Sequence, residues 1–252
     1  MKIQILSDLH LEFLSPTQIK KLLEMIEAKA PVLVLAGDIG NPYEDHYKQF
    51  LTDMASRFEK IFLVAGNHEY YGHDVHNTNQ KLKTICQSYS NVSFLCHSYE
   101  DYQGIHWIGT TLWSSIQTPR YYTNDIRCIK KMTMERFNEM HRDSVFFLHQ
   151  TMAHTKGRCV IITHYLPTMK VIHEKYRNQT EMNQWFASSS LEDFLEKYTE
   201  QIPLWIYGHT HSFSDQQIQQ THMVCNPLGY ENENNEFHWN YVVDLESSGD
   251  IQ

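Results

Sequence analysis

Five short runs of β-branched and large apolar residues recur along the chain, and each stops on a side chain able to bind a metal. They read KIQILSDLH, PVLVLAGDIG, KIFLVAGNHEYYG, RCVIITHYLP and PLWIYGHTHS. Runs this short and this continuously apolar predict strands buried on both faces. The strands are placed at Lys2–Leu6, Val32–Ala36, Ile61–Val64, Val160–Thr163 and Leu204–Tyr207. Between the first three, the period changes to that of a helix. Ser15 is a good N-cap, Pro16 takes the first helical position and Gln18 completes a capping box. Ile19, Leu22, Leu23 and Ile26 then repeat at helical spacing, and Pro31 ends the segment. Further helices are expected over Tyr47–Glu59 and Asn79–Ser88. Strands alternating with helices predict a parallel, layered sheet.

From Val92 the style changes. Val92–Cys96 and Ile105–Leu112 are close-spaced strand-like runs, which suggests a second sheet. Residues 114–129 lack periodicity and read as a loop or insertion. Thr133 caps a long helix to His154, with Gly157 as its C-cap. A polar, aromatic stretch covers Thr168–Ser190, and a short helix starts at Ser190. Met223–Tyr230 and His238–Asp244 are the terminal strands. No repeat or linker divides the chain, so residues 1–252 are expected to form one domain.

The residues that close the apolar runs are Asp8 and His10, Asp38, Asn67 and His68, His164, and His209 and His211. In open α/β sheets, ligands gather at the carboxyl ends of the strands. Side chains two apart in an extended segment share a side, so Asp8 and His10 can reach one metal. Carboxylate oxygen with imidazole nitrogen suits Mn, Fe, Zn, Co or Ni better than Ca. An aspartate can bridge two metals through its two oxygens. Two metals about 3.5–4 Å apart can activate a water and clamp an in-line displacement at phosphorus.

Composition limits the alternatives. The chain has 252 residues, 41% hydrophobic and 13% aromatic, enough for a sizeable core. A net charge of -9 disfavours a broad grip on nucleic acid. Two divalent cations would reverse the local sign only at the site. The five cysteines are odd in number and none stands in CxxC spacing, as expected of free thiols in a reducing compartment. Asp8 interrupts the first apolar stretch before it could serve as a signal peptide. No run approaches the roughly 18–20 apolar residues of a membrane span. A cytoplasmic location with no membrane partner is expected. The oligomeric state is left open.

The strings SDLH, AGDIG, AGNHE, ITHYLP and YGHTH resemble, in order, the five motifs of the calcineurin-like metallophosphoesterases. Each motif is weak alone. Together, from Asp8 to His211 and each behind an apolar run, they are specific. The resemblance implies an α/β fold, a four-layer αββα sandwich of two mixed sheets flanked by helices. It implies two divalent or mixed-valence transition metals, Mn, Fe, Zn or Ni. One would be held by Asp8, His10 and His211, the other by Asn67, His164 and His209, with Asp38 bridging. It further implies that His68 assists the leaving group while metal-bound hydroxide attacks a small phosphate ester. Catalytic roles thus fall on His68 and Asp38, and no organic cofactor is implied.

Departures narrow the branch. Asp38 is followed by Ile39, Gly40, Asn41 and Pro42, without the arginine of the protein Ser/Thr phosphatases. His68 is kept where the branch acting on UDP-diacylglucosamine has arginine. IGTTLWSS, TNDIR, MHRDSVFFL and VCNPLGYENE resemble a group of small bacterial-type metallophosphoesterases, in which Leu228 is commonly arginine. The absence of an arginine in the motif after Asp38 favours a diester over a monoester. A phosphomonoesterase, a nuclease and a non-catalytic scaffold are the alternatives; the complete ligand set disfavours the last. Arg120, Arg127, Arg142 and Arg177 are candidate phosphate partners. Asn124 and Asp125 are further candidates for the pocket lining, and Tyr121, Tyr122 and Trp113 for packing or base stacking. His73 has a solvated or core role by default, with the mouth of the site as the alternative, His141 is assigned a structural role, and Tyr70 and Tyr71 are assigned to packing. Gly37, Gly66 and Gly208 are expected to let the backbone pass close to the metals.

Overall fold

The computed structural model describes residues 1–117, 123–231, 233 and 236–245. Strands β1 (Lys2–Leu6), β2 (Val32–Ala36), β3 (Lys60–Val64) and β4 (Val92–Phe94) run parallel in one sheet. Helices α1 (Pro16–Met25), α2 (Asp45–Arg57) and α3 (Val75–Cys86) connect them. The second sheet begins with β5 (Ser98–Tyr102) and β6 (Ile105–Thr110). The chain continues through α4 (Asn124–Cys128), α5 (Met134–His154) and β7 (Cys159–Thr163). It ends with α6 (Thr180–Asn183), α7 (Glu192–Tyr198), β8 (Leu204–Tyr207), β9 (Ser214–Ile218), β10 (Thr221–Cys225) and β11 (Val242–Asp244).

Strand order is β11-β1-β2-β3-β4 in the first sheet and β5-β6-β7-β8-β10-β9 in the second. Strand β11 is antiparallel to β1, and β5 and β9 are antiparallel to their neighbours, so both sheets are mixed. Alternation along each strand builds the layers. Ile3, Ile5, Val32, Val34, Phe62 and Val64 meet Val160, Ile162, Leu204 and Ile206 between the sheets. The alternate set packs with the helices: Leu33, Leu35 and Leu63 with Leu22, Phe50 and Leu82, and Ile161 and Trp205 with Phe137, Leu148 and Phe194. This is the expected αββα sandwich.

The five apolar runs are divided three to two between the sheets, and their carboxyl ends meet on one rim. Ser15 caps α1 with the full capping box. Thr133 caps α5, as expected. The C-cap of α5 is Thr155, which turns extended, and not Gly157. Helix α3 starts at Val75, four residues before the periodicity suggests, behind the N-cap Asp74, whose side chain accepts from Asn77 N. Strands β5 (SYEDY) and β9 (SDQQI) carry polar edge sequences and gave no apolar signal. Within 114–129, the described part includes α4.

Candidate metal centre

Five of the strand-end residues sit in the left-handed backbone region: Asp8 (φ 53°), His10 (φ 48°), Asp38 (φ 53°), His209 (φ 68°) and His211 (φ 47°). Such conformations cost non-glycine residues about 1–2 kcal/mol and concentrate at functional sites. Cross-ties between the loops hold them. Asp8 N donates to Gly37 O, and His10 N to Asp38 O, both at 3.0 Å. His209 N donates to Asp8 Oδ1 at 3.0 Å. The buried Glu69 carboxylate accepts from Asp38 N, Ile39 N and Gly66 N at 2.7–2.9 Å. Burial and the Asp38 charge push Glu69 up to about 8, against the pull of His164 and the backbone donors.

The glycines make room. A Cβ at Gly66 would stand on Asp38 Oδ1, and one at Gly208 would lie 2.7 Å from Asp8 Oδ2. A Cβ at Gly37 would meet the His164 ring, and its φ is +87°.

Donor atoms of Asp8, His10 and His211 lie within 4.8 Å of one another, as do those of Asp38, His164 and His209. Asp38 stands between the groups: its Oδ2 is 3.3 Å from His164 Nε2 and 3.9 Å from His10 Nε2. Its Oδ1 is taken by His68 N at 2.8 Å. Oδ2 thus lies within 4 Å of a histidine from each group.

The rings are fixed from outside. His10 Nδ1 donates to Glu12 Oε1 at 3.1 Å, His211 Nδ1 to Glu233 Oε2 at 2.6 Å, and His164 Nδ1 to Ala36 O at 2.9 Å. Each then turns Nε2 inward. His209 Nε2 faces Trp185 O at 3.4 Å, which leaves Nδ1 as its inward atom. Asn67 Nδ2 donates to Asp125 Oδ1 at 2.9 Å and Tyr71 Oη at 3.1 Å, so its Oδ1 turns toward His164 Nε2, 3.0 Å away. Holding the outer atom of each ligand is how proteins orient metal-binding side chains. His68 differs, because both its nitrogens are engaged: Nδ1 with Glu12 Oε1 at 2.9 Å and Nε2 with Tyr230 Oη at 3.1 Å.

Electrostatics agree with a cation at this position. Burial opposes ionisation of Asp38, but His164 and His68 outweigh it and hold its pKa well below the carboxylate range. Burial and the charge on His164 push His209 down to about 3, leaving it a neutral lone-pair donor. Against burial, Asp38 raises His164 to about 9, and Asp8 with Glu233 raises His211 to about 10. The field that favours a proton on these two rings favours a metal ion in its place. The donor set, its orientation and its charge fit two divalent ions.

A cavity of about 410 Å³ opens beside these groups, lined by Asp38, Asn67, His68, His209 and His211. Its other wall holds Leu166, Ile172, Tyr176, Met182, Trp185 and Phe186, with Asn124 and Asp125 on the rim. No lysine or arginine lines it among the described residues. Arg127, Arg142 and Arg177 lie outside it, and Arg120, Tyr121 and Tyr122 fall outside the described residues. Trp113 is buried against Tyr70, Phe137 and Tyr165. His73 stacks on Tyr43 and does not line the cavity. His141 is structural, held between Leu112 O and Ser190 Oγ. Tyr70 packs in the core, but Tyr71 does not merely pack: it lines the cavity and bonds Asn67 and Asp125.

Glu12, Glu69, Tyr230 and Glu233 carry no site signal of their own in the sequence. Glu12 follows His10 by two, Glu69 ends the AGNHE string, and Tyr230 and Glu233 lie in NPLGYENE. The last two reach the site because the loop after β10 lies along the end of β1. Leu228 N donates to Ser7 O and Gly229 N to Asp8 O, both at 3.0 Å.

Comparison with known proteins bears on this centre. The chain is 27% identical to Uncharacterized protein L509 of Acanthamoeba polyphaga mimivirus, covering 97% of this chain and 96% of the relative. Phosphopantetheinyl hydrolase of Mycobacterium tuberculosis has a similar fold, with a TM-score of 0.70, 17% identity, and 91% and 89% of the two chains covered. TT1561 of Thermus thermophilus follows with a TM-score of 0.61, 9% identity, and 90% and 88% covered. A dimetal phosphatase from Danio rerio gives 0.51, with 11% identity, and 89% and 86% covered. The model of the calcineurin-like phosphoesterase family matches residues 1–213, a span that includes every strand-end donor from Asp8 to His211, and the chain belongs to that family.

Proposed function

We propose that this protein is a dinuclear metal-dependent phosphodiesterase acting on a small phosphate ester. Asp8, His10 and His211 would hold one ion, Asn67, His164 and His209 the other, and Asp38 Oδ2 would serve both. Mn, Fe, Zn and Ni fit the mixed oxygen and nitrogen donors. When bound, two such ions neutralise phosphoryl charge and acidify water at neutral pH.

The chain's own residues do the rest. Asp125 and Tyr71 keep the Asn67 oxygen directed inward. Glu12 holds the rings of His10 and His68 through one oxygen. His68 Nε2, paired with Tyr230 Oη, lies on the cavity wall and is placed to deliver a proton to the leaving oxygen. The observation that carries the reading is the position of Asp38 Oδ2 between two donor groups whose outer atoms are all held.

The diester preference follows from charge. Asp8, Glu12, Asp38, Asp125 and Glu233 surround the centre, and no lysine or arginine lines the cavity among the described residues. Two divalent ions would leave a net negative site, which penalises a dianionic monoester more than a monoanionic diester. The test is hydrolysis of bis-p-nitrophenyl phosphate and p-nitrophenyl phosphate on metal-stripped protein resupplied with Mn, Fe, Ni, Zn or Mg. Metal-restored turnover of the diester is expected. Turnover of the monoester alone would refute the preference, and turnover of neither with both ions bound would refute the enzyme reading.

A further inference from the structure

A second cavity, of about 710 Å³, opens on the far side of Tyr230. Its walls are Phe13, Leu22 and Met25 around α1, with Leu228, Tyr230 and Trp239 opposite. Its charged residues are Lys21 and Glu231, one of each sign. Phe13 is 62% exposed, and Met25 and Tyr230 are each 42% exposed; exposed apolar side chains gathered in one patch mark binding surfaces. These three border a single groove.

The groove adjoins the metal centre across Tyr230. His10 lies on its wall, and Tyr230 lines both cavities. The His10 and Tyr230 rings are 4.6 Å apart, and Phe13 lies 5.7 Å from Tyr230 and 5.9 Å from His68. A phosphodiester carries two substituents on one phosphorus. Here two cavities flank one candidate centre, and they differ in character. The first has amide and carboxylate groups on its rim. The second offers mostly apolar surface and few hydrogen-bond partners, so a sugar or base would be desolvated there without compensation.

We propose that the groove along α1 binds a hydrocarbon arm of the substrate, an alkyl or acyl chain carried on the scissile phosphodiester. This rests on the phosphodiesterase reading above. The polar or aromatic arm then occupies the cavity walled by Trp185 and Phe186. Tyr230 and Phe13 form the partition at which the chain turns away from the phosphorus.

The test is a series of p-nitrophenyl alkyl phosphodiesters, methyl to hexyl, below their micelle concentrations. Metal-loaded wild type is compared with a Phe13→Ser, Met25→Gln double variant. Both positions are exposed, and metal content and circular dichroism verify the fold. A fully buried methylene is worth about fourfold, so an open groove should give at least about twofold each in kcat/KM, or about thirtyfold from methyl to hexyl. The variant should reduce the hexyl-to-methyl ratio to below about threefold. Equal rates for methyl and hexyl in the wild type would overturn the arm assignment and leave the diesterase reading standing. A chain-length dependence undiminished in the variant would place the arm elsewhere and also overturn it. No turnover of any diester, with both ions bound, would overturn the diesterase reading and this inference together.

Discussion

Asp125 provides a graded test of how the centre is assembled. Its buried carboxylate accepts from Asn67 Nδ2 at 2.9 Å and Tyr71 Oη at 2.8 Å on Oδ1, and from Tyr165 Oη at 2.9 Å on Oδ2. Asp125→Asn must direct its new NH2 at one side. On the Oδ1 side it would oppose two donors; on the Oδ2 side, only the Tyr165 hydroxyl, which can rotate to accept. The amide should therefore settle with its oxygen toward Asn67, preserve that side chain's direction, and lose only charge. Outer partners of metal ligands are worth about 10–100-fold in affinity. We expect Asp125→Asn to weaken metal binding by about tenfold. Asp125→Ala should cost about a hundredfold, because Asn67 is then free to turn its amide. Asp125→Ala also strands the buried Tyr165 hydroxyl, whereas Asn67 and Tyr71 line the cavity and can find water. An unsatisfied buried group costs about 1–3 kcal/mol, so stability should fall by roughly that amount. Competitive chelator titration and denaturant unfolding of the metal-free protein measure the two effects separately. Equal affinities across wild type and both variants would refute the positioning of Asn67 by Asp125.

Three further outcomes are expected. His68→Ala should keep its metals and lose about 10²–10⁴-fold in rate, with the larger loss on alkyl leaving groups, whereas Asp38→Asn should lose metal as well; elemental analysis beside kinetics distinguishes them. Full rate of His68→Ala on a poor leaving group would exclude its proton-donor role. Gly66→Ala should lose metal and about 1–3 kcal/mol of stability, because its Cβ would also lie 2.7 Å from Asp38 N and 2.7 Å from His164 Cε1; native metal content in that variant would contradict the close approach. Cys128 is exposed, while burial pushes Cys86 up to about 12 and Cys96 and Cys159 up to about 11, so native alkylation read by mass spectrometry should mark Cys128 first.

The inner donors were legible because their positions follow from strand ends. A continuous apolar run fixes a buried strand, and the first polar residue after it must lie on the rim. Asp38, Asn67, His164 and His209 follow that rule, and Asp8 comes one place later, after Ser7. The two edge strands of the second sheet were not legible, because β5 and β9 each have one solvated face and an outer neighbour of water. Their half-buried, polar sequences carry no run to detect. The outer partners were missed for a different reason. Glu12, Asp125, Tyr230 and Glu233 owe their positions to loop paths, and no periodicity encodes a loop path. Asp125 was noted only as a pocket candidate, while its actual contacts are with the amide of Asn67 and two tyrosine hydroxyls. Leu228 was noted for an absent charge, and it lies in an apolar groove.

The strained backbone explains why these outer partners matter. Five donors in left-handed conformations cannot be held by local preference, since each would relax toward an extended or right-handed form. The strain is offset by ties that cross between strands: Asp8 to Gly37 and His209, His10 to Asp38, and Glu69 to both the β2 and β3 loops. These ties are backbone to backbone or carboxylate to backbone, and none requires a cation. The rim is thus organised by the fold itself, with lone pairs already directed inward. Binding then need not order the loops, so little conformational entropy is lost when the ions enter. Phe13, Met182 and Tyr230, at 62%, 43% and 42% exposure, are the exposed large side chains around the centre. Substitution is therefore best tolerated at these exposed side chains, which carry none of the ties.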